Sequence, residues 1–182
     1  MVESNIRKLN RMELLYRCIS KLVIYQNESG MDDRIFPMEH YYNPNDFNSF
    51  IYHSQSTDAD DLIVILLRNA DLLIARCRDH DDVTKYQLLV RCVPEQTIDD
   101  NGSHRARNRE DGFLGSDIMQ RTADPDATYR EKASKSHRGY TSNIKESVGG
   151  NGSVVTDYRY DKNNVSDSAL LNEHLNSMDG LG

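Results

Sequence analysis

The 182-residue sequence contains no tryptophan, four phenylalanines, four prolines and three cysteines. Cys18, Cys77 and Cys92 are odd in number and widely spaced, and each sits in an apolar helical pattern, so they read as reduced core thiols, not a disulfide framework. No CxxC pair or Cys/His cluster has the spacing of a zinc site. Long apolar runs are missing too. The longest, Leu62 to Leu67, is six residues, against the roughly 20 that a membrane-spanning helix needs. The opening MVESNIRKLN lacks the apolar core of a signal peptide. These absences predict a soluble, cytoplasmic protein with no membrane partner. GxSxG, Walker A, GxGxxG and HExxH motifs are also absent, and nothing indicates a small-molecule substrate.

What is present is polar. Only 37% of residues are hydrophobic, 28% are charged and the mean hydropathy is −0.71, so parts of the chain lack the apolar area to order themselves. The length suits one domain or one and a half. The formal charge of −7 is uneven: residues 104–145 carry nine Lys/Arg against six Asp/Glu, while acids exceed bases on both sides of that stretch. An overall pI near 5.3 argues against a strongly basic DNA-binding domain but leaves room for a local phosphate-contacting patch.

Residues 1–94 have helical periodicity. Ile6, Leu9, Met12, Leu15, Tyr16, Ile19, Leu22 and Val23 share one face of a first helix, with Ser4 or Asn5 as cap and Gly30 beyond its end. A short helix is expected over 46–54. The strongest pattern runs from a Thr57/Asp60 capping box through Leu62, Ile63, Ile65, Leu66, Leu67, Ala70, Leu73 and Ile74 to Cys77, and is expected at the bundle centre. A further helix over 82–93 should bury Val83, Tyr86, Leu89, Val90 and Val93 and stop at Pro94. Residues 95–123 read as a polar, disordered linker. Beyond it the period changes to two: Tyr140 to Val148, a GGNG turn at 149–152 and Ser153 to Tyr160 form a β-hairpin, followed by a helix over 167–178 capped by Ser166 or Asp167. The fold class is therefore α+β, with helices 1–94, linker 95–123 and a sheet-containing piece 124–182.

Within that last piece, DPDAT (Asp124 to Thr128), the K-x-H-R-G-Y segment (Lys135 to Tyr140), the hairpin and the Asn164, Asp167, Ser168 pattern resemble a signature of the DDE transposases of bacterial insertion sequences. The opening MVESNIRKLNRMELLYRC resembles the segment after the first catalytic aspartate of those enzymes. The resemblance implies an RNase H-like fold, a mixed five-stranded sheet flanked by helices, in which three carboxylates hold two Mg²⁺ or Mn²⁺ ions for DNA cleavage and strand transfer. It also implies that the first aspartate precedes Met1 and that the other two acids follow Gly182. The chain would then supply the second and third strands, the first helix and a helical insertion. It would hold no catalytic residue, metal or cofactor of its own and be inactive alone, its parent being a DNA transposase.

Four residues, Lys132, Lys135, His137 and Arg138, put positive charge on one loop and could track a DNA backbone, since phosphate contact needs little more than placed charge. Arg105, Arg107 and Arg109 are diluted by Glu110 and Asp111 and read as linker. Asp157, with Asp161 and Asp167 nearby, is not read as a metal site: Asp157 shares a strand face with Val155 and Arg159 and reads as a solvated strand residue, and Asp167 reads as a helix cap. A competing reading is a small helical binding or scaffold protein that self-associates through the Leu62 to Cys77 helix.

Overall fold

A computed structural model describes residues 9–30, 38–53, 59–100, 103–107, 110–111, 115–150 and 152–179. Its elements are mixed α and β: α1 Arg11–Glu28, α2 Phe47–His53, α3 Ala59–Arg76, α4 Thr84–Gln96, β1 Thr97–Asp100, β2 Ser103–Ala106, β3 Thr128–Lys132, β4 Lys135–Gly149, β5 Gly152–Lys162 and α5 Asp167–Asp179. The chain divides into two units, residues 1–114 with 118–125 and residues 115–117 with 126–182. Among the described residues, no helix is long and apolar enough to cross a membrane.

In the first unit α1 packs against both α3 and α4. Its cap is Asn10, whose Oδ1 accepts the Glu13 N–H at 2.8 Å; Ser4 and Asn5, expected in that role, lie outside the described residues. Glu13, at the third helical position, pairs with Arg17 one turn on at 3.0 Å. Gly30, with φ +68, follows the helix end as expected. The bundle centre is α1 and not α3. Besides the expected Leu15, Tyr16, Ile19, Leu22 and Val23, it buries Leu14, Cys18, Ser20 and Gln26. Periodicity misses the last two because a polar residue can enter a core only with a partner. Here Ser20 Oγ donates to the Tyr41 carbonyl and Gln26 Nε2 donates to Cys77 Sγ at 2.8 Å.

On α3 the stripe Leu62, Ile63, Leu66, Leu67, Ala70 and Leu73, with Cys77 just after it, is buried in this core. Self-association through those same side chains would therefore require opening the unit. Ile65, placed on the stripe by the sequence pattern, is exposed, as is Val64; Thr57 lies outside the described residues. Helix α4 corrects two further expectations. Val90 is exposed while Leu88 is buried, and Pro94 lies inside the helix, which runs on to Gln96. Thr97 Oγ1 donates to the Val93 carbonyl at 2.7 Å, taking over one of the acceptors left open at the helix end. All three cysteines are free and buried. The Cys92 thiol is hydrogen-bonded with Cys18, and that bond together with burial pushes it well above its ordinary range.

The expected disordered linker is in large part structured. β1 and β2 form an antiparallel hairpin from Thr97↔Ala106 to Asp100↔Ser103. Thr97, Met119 and Gln120 are buried, the Met119 N–H donates to Glu95 at 2.6 Å, and Arg107 Nη2 donates to the Pro94 and Thr97 carbonyls at 3.2 and 3.3 Å. Polar side chains are here bound to backbone groups, and so escape a reading that equates order with apolar content.

In the second unit the sheet has three strands in the order β3-β4-β5, one more than the expected hairpin. β3 and β4 are joined by Ala133 and Ser134, with φ of +51 and +61, two non-glycine residues in the left-handed region that a two-residue hairpin turn demands. Each costs on the order of 1 kcal/mol there. Replacing the pair by Asn-Gly is expected to stabilise the sheet by about 1–2 kcal/mol, read as slower amide exchange in β3 and β4. Unchanged or faster exchange would refute that account of the turn.

β4 and β5 pair from Tyr140↔Lys162 to Gly149↔Gly152, with a shift between Lys145↔Asp157 and Glu146↔Val155 that leaves Thr156 without a register partner. This bulge turns over the first half of β5. Asp157 and Arg159 therefore share a face with Lys145 and Asn143, while Val155 joins Tyr158, Tyr160, Ile144 and Tyr140, contrary to the unbroken alternation expected from sequence. Helix α5 is capped by Ser166, whose Oγ accepts the Ala169 N–H at 3.1 Å; Asp167 is its first residue.

Candidate nucleic-acid interface

The basic candidates lie on the β3–β4 hairpin. Lys132 pairs through its backbone with Lys135 next to the Ala133–Ser134 turn; its side chain is outside the described residues. Arg130↔His137 and Tyr129↔Arg138 follow in the register. Alternation puts Lys135 and His137 with Arg130 on one face and Arg138 on the other, so the four do not form a single patch. Arg138 lies over the Tyr129 ring at 5.7 Å, which holds the guanidinium while leaving the residue exposed. Lys135 and His137 are exposed as well.

What positions this hairpin is Asn163, buried at 4% exposure at the end of β5. Thr128 Oγ1 donates to Asn163 Oδ1 at 2.8 Å, the Asn163 N–H donates to Thr128 Oγ1 at 3.0 Å, and Asn163 Nδ2 donates to the His137 carbonyl at 3.0 Å. Arg130 Nη1 adds a longer bond to the Asn163 carbonyl at 3.4 Å. The basic strands are thus fixed to the residue that follows β5, β3 through the Thr128 and Arg130 side chains and β4 through the His137 carbonyl. Gly139, with φ +110, lies where β4 leaves β3 and takes up β5, a conformation that strains any other residue. Asn164 donates to Ser116 Oγ at 2.9 Å and to Asp117 Oδ1 at 2.7 Å, and the Tyr129 N–H donates to the Ser116 carbonyl at 3.2 Å, which brings residues 115–117 into this unit. Sequence reading missed Arg130, Asn163 and Tyr129. Arg130, within the basic stretch 104–145, carried a charge signal; Asn163 carried none that separates it from an ordinary turn residue.

The acidic residues do not converge. Asp157 pairs with Lys145 across the strands at 3.1 Å. Asp161 is held by Arg159 and accepts from Asn143 Nδ2 at 2.9 Å, and the Arg159 bond keeps its carboxyl below the usual range. Arg159 also reaches Glu173 on α5 at 3.1 Å. Between this face and α5 lies an open cleft of about 380 Å³, lined by Asn143, Lys145, Asp157, Arg159, Leu170 and Glu173 among others. Among the described residues there is no group of three or more His, Cys, Asp or Glu that could hold a metal ion. Of the three arginines read as linker, Arg105 forms a two-bond pair with Asp111, at 2.6 and 2.5 Å, and Arg107 is tied to backbone carbonyls; Arg109 lies outside the described residues.

Compared with protein-family models, curated proteins and solved structures, the chain matches none.

Proposed function

We propose that the chain is a segment of a DDE transposase of a bacterial insertion sequence, whose parent activity is metal-dependent DNA cleavage and strand transfer, and that it does not cut or join DNA by itself. One observation carries the reading. The stretch resembling the transposase signature, residues 124–175, spans a continuous antiparallel β3-β4-β5 unit followed by a capped helix, and its Gly139 and Asn164 occupy positions with specific structural demands. The resemblance implies a second strand, a third strand and a first helix, to which β4, β5 and α5 would correspond, with β3 an additional strand. The resemblance puts all three catalytic acids outside the chain, so no chemical step is assigned to it.

Its own contribution would be backbone contact with DNA. Lys135, His137, Arg138 and Arg130 can meet phosphates without reading bases. The expected result is weak duplex binding at low salt with little sequence preference. Replacing Lys135 and Arg138 by glutamate should flatten the dependence on salt by about one unit of logarithmic slope for each phosphate that is no longer neutralised. Gel shifts that show no retardation at low salt would remove the DNA role. Robust nicking or strand transfer by the chain with Mg²⁺ or Mn²⁺ would overturn its assignment as an inactive segment.

A further inference from the structure

The bulge at Thr156 collects Tyr140, Ile144 and Val148 from β4 with Val155, Tyr158 and Tyr160 from β5 on one face of the hairpin. These side chains are 49–79% exposed. Tyr158 and Tyr160 lie edge to face at 6.4 Å, so the aromatic part of the surface is already organised. The opposite face carries the Arg159, Asp161 and Lys145 ion pairs and, through Arg159 and Glu173, the contact with α5. Helix α5 borders only part of that opposite face, where Val154 is 68% exposed.

We infer that this face is the contact surface of a symmetric dimer, in which the sheets of two copies stack through Tyr140, Ile144, Val148, Val155, Tyr158 and Tyr160. The area fits. Six such side chains expose roughly 700 Å², given about 150–250 Å² for a whole aromatic residue, close to the roughly 800 Å² that each partner contributes to a standard interface. It also exceeds the few hundred Å² of apolar patch that a monomer ordinarily tolerates. The charge fits as well. Along these paired strands the face carries only Glu146 and Lys162, which balance, so it neither repels its own copy nor draws a polyanion. A two-fold axis running across the strands at the Ile144↔Tyr158 row pairs the surface with itself. This surface differs from the α3 stripe, and the dimer does not depend on the transposase reading.

Sedimentation of the full chain across micromolar concentrations should show a monomer–dimer equilibrium. Tyr158→Lys and Val155→Lys should each weaken it at least about tenfold, as expected when a central interface side chain is replaced by a desolvated charge. Val154→Lys, on the opposite face at 68% exposure, should leave it unchanged. All three positions are more than half exposed, and unchanged far-UV circular dichroism confirms that the variants fold. Ile144→Cys at the axis should cross-link to its own copy with a bis-maleimide about 10 Å long, the spacing of stacked sheets, the native thiols being buried. A monomer at every concentration, open-ended oligomers, or equal weakening by Val154→Lys would overturn the inference.

Discussion

Tyr16→Ala is expected to remove about 3–5 kcal/mol from the helical unit, the range for deleting a large buried aromatic side chain. The ring is fully buried and meets Tyr41 at 5.1 Å, Phe50 at 5.4 Å and Phe47 at 5.7 Å, so it joins α1, the Glu39–Tyr41 turn and α2 in one cluster. Its hydroxyl donates to the His40 carbonyl and lies 3.2 Å from that of Asn43. Tyr16→Phe keeps the ring and should cost only about 1–2 kcal/mol, the value of one hydrogen bond. Denaturant unfolding followed by far-UV circular dichroism separates the two, and a loss under about 1 kcal/mol for the alanine variant would show that the cluster can collapse around the gap. The same residue sets an alkaline limit. Burial raises Tyr16 and Tyr41 to about 12 from an ordinary 10, with the charge of Asp46 adding to the effect on Tyr16. Because the folded values lie above the unfolded one, their stabilisation is complete below pH 10 and is lost as pH rises through about 12. Tyrosinate absorbance should therefore climb together with loss of helix in that interval.

Asn163→Leu is expected to cost the sheet unit about 1–3 kcal/mol, because it takes from the Thr128 hydroxyl its Oδ1 acceptor and from the His137 carbonyl its Nδ2 donor. Asn163→Asp tests the same bonds with almost no change of volume. It removes the Nδ2 donor to His137, and it too should destabilise, by about 1–3 kcal/mol. Amide exchange in β3, β4 and β5 is the readout, since it follows the local opening of this unit. If Asn163→Asp exchanged like the parent, the bond to His137 would be dispensable.

How much of this was legible in the sequence follows from where apolar periodicity is strong. α3 and α5 end within about two residues of the expected positions because the apolar spacing of α3 is regular and Ser166 caps α5. α1 was placed, but its central role was not, since Ser20 and Gln26 on its far side are core residues only by virtue of partners brought in by Tyr41 and Cys77. The hairpin of β1 and β2 is lost in polar composition, because Thr97–Asp100 and Ser103–Ala106 hold only one large apolar residue, Ile98. The β3–β4 turn was illegible for a different reason: Ala-Ser carries none of the residues that the left-handed backbone prefers. The bulge at Thr156 leaves no mark on a pattern of alternating residues, yet it decides which face Val155 and Asp157 occupy. Of the basic site, the charge was visible, but its division between two faces and its dependence on Asn163 belong to pairing register and burial.

The three residues 115–117 are counted with the sheet although the chain on both sides of them belongs to the helical unit. The chain consequently passes from one unit to the other three times, and no single cut separates them. A fragment begun at residue 126 would leave behind Ser116 and Asp117, the acceptors for Asn164 and Tyr129. A boundary drawn anywhere between 115 and 125 therefore divides one of the two units.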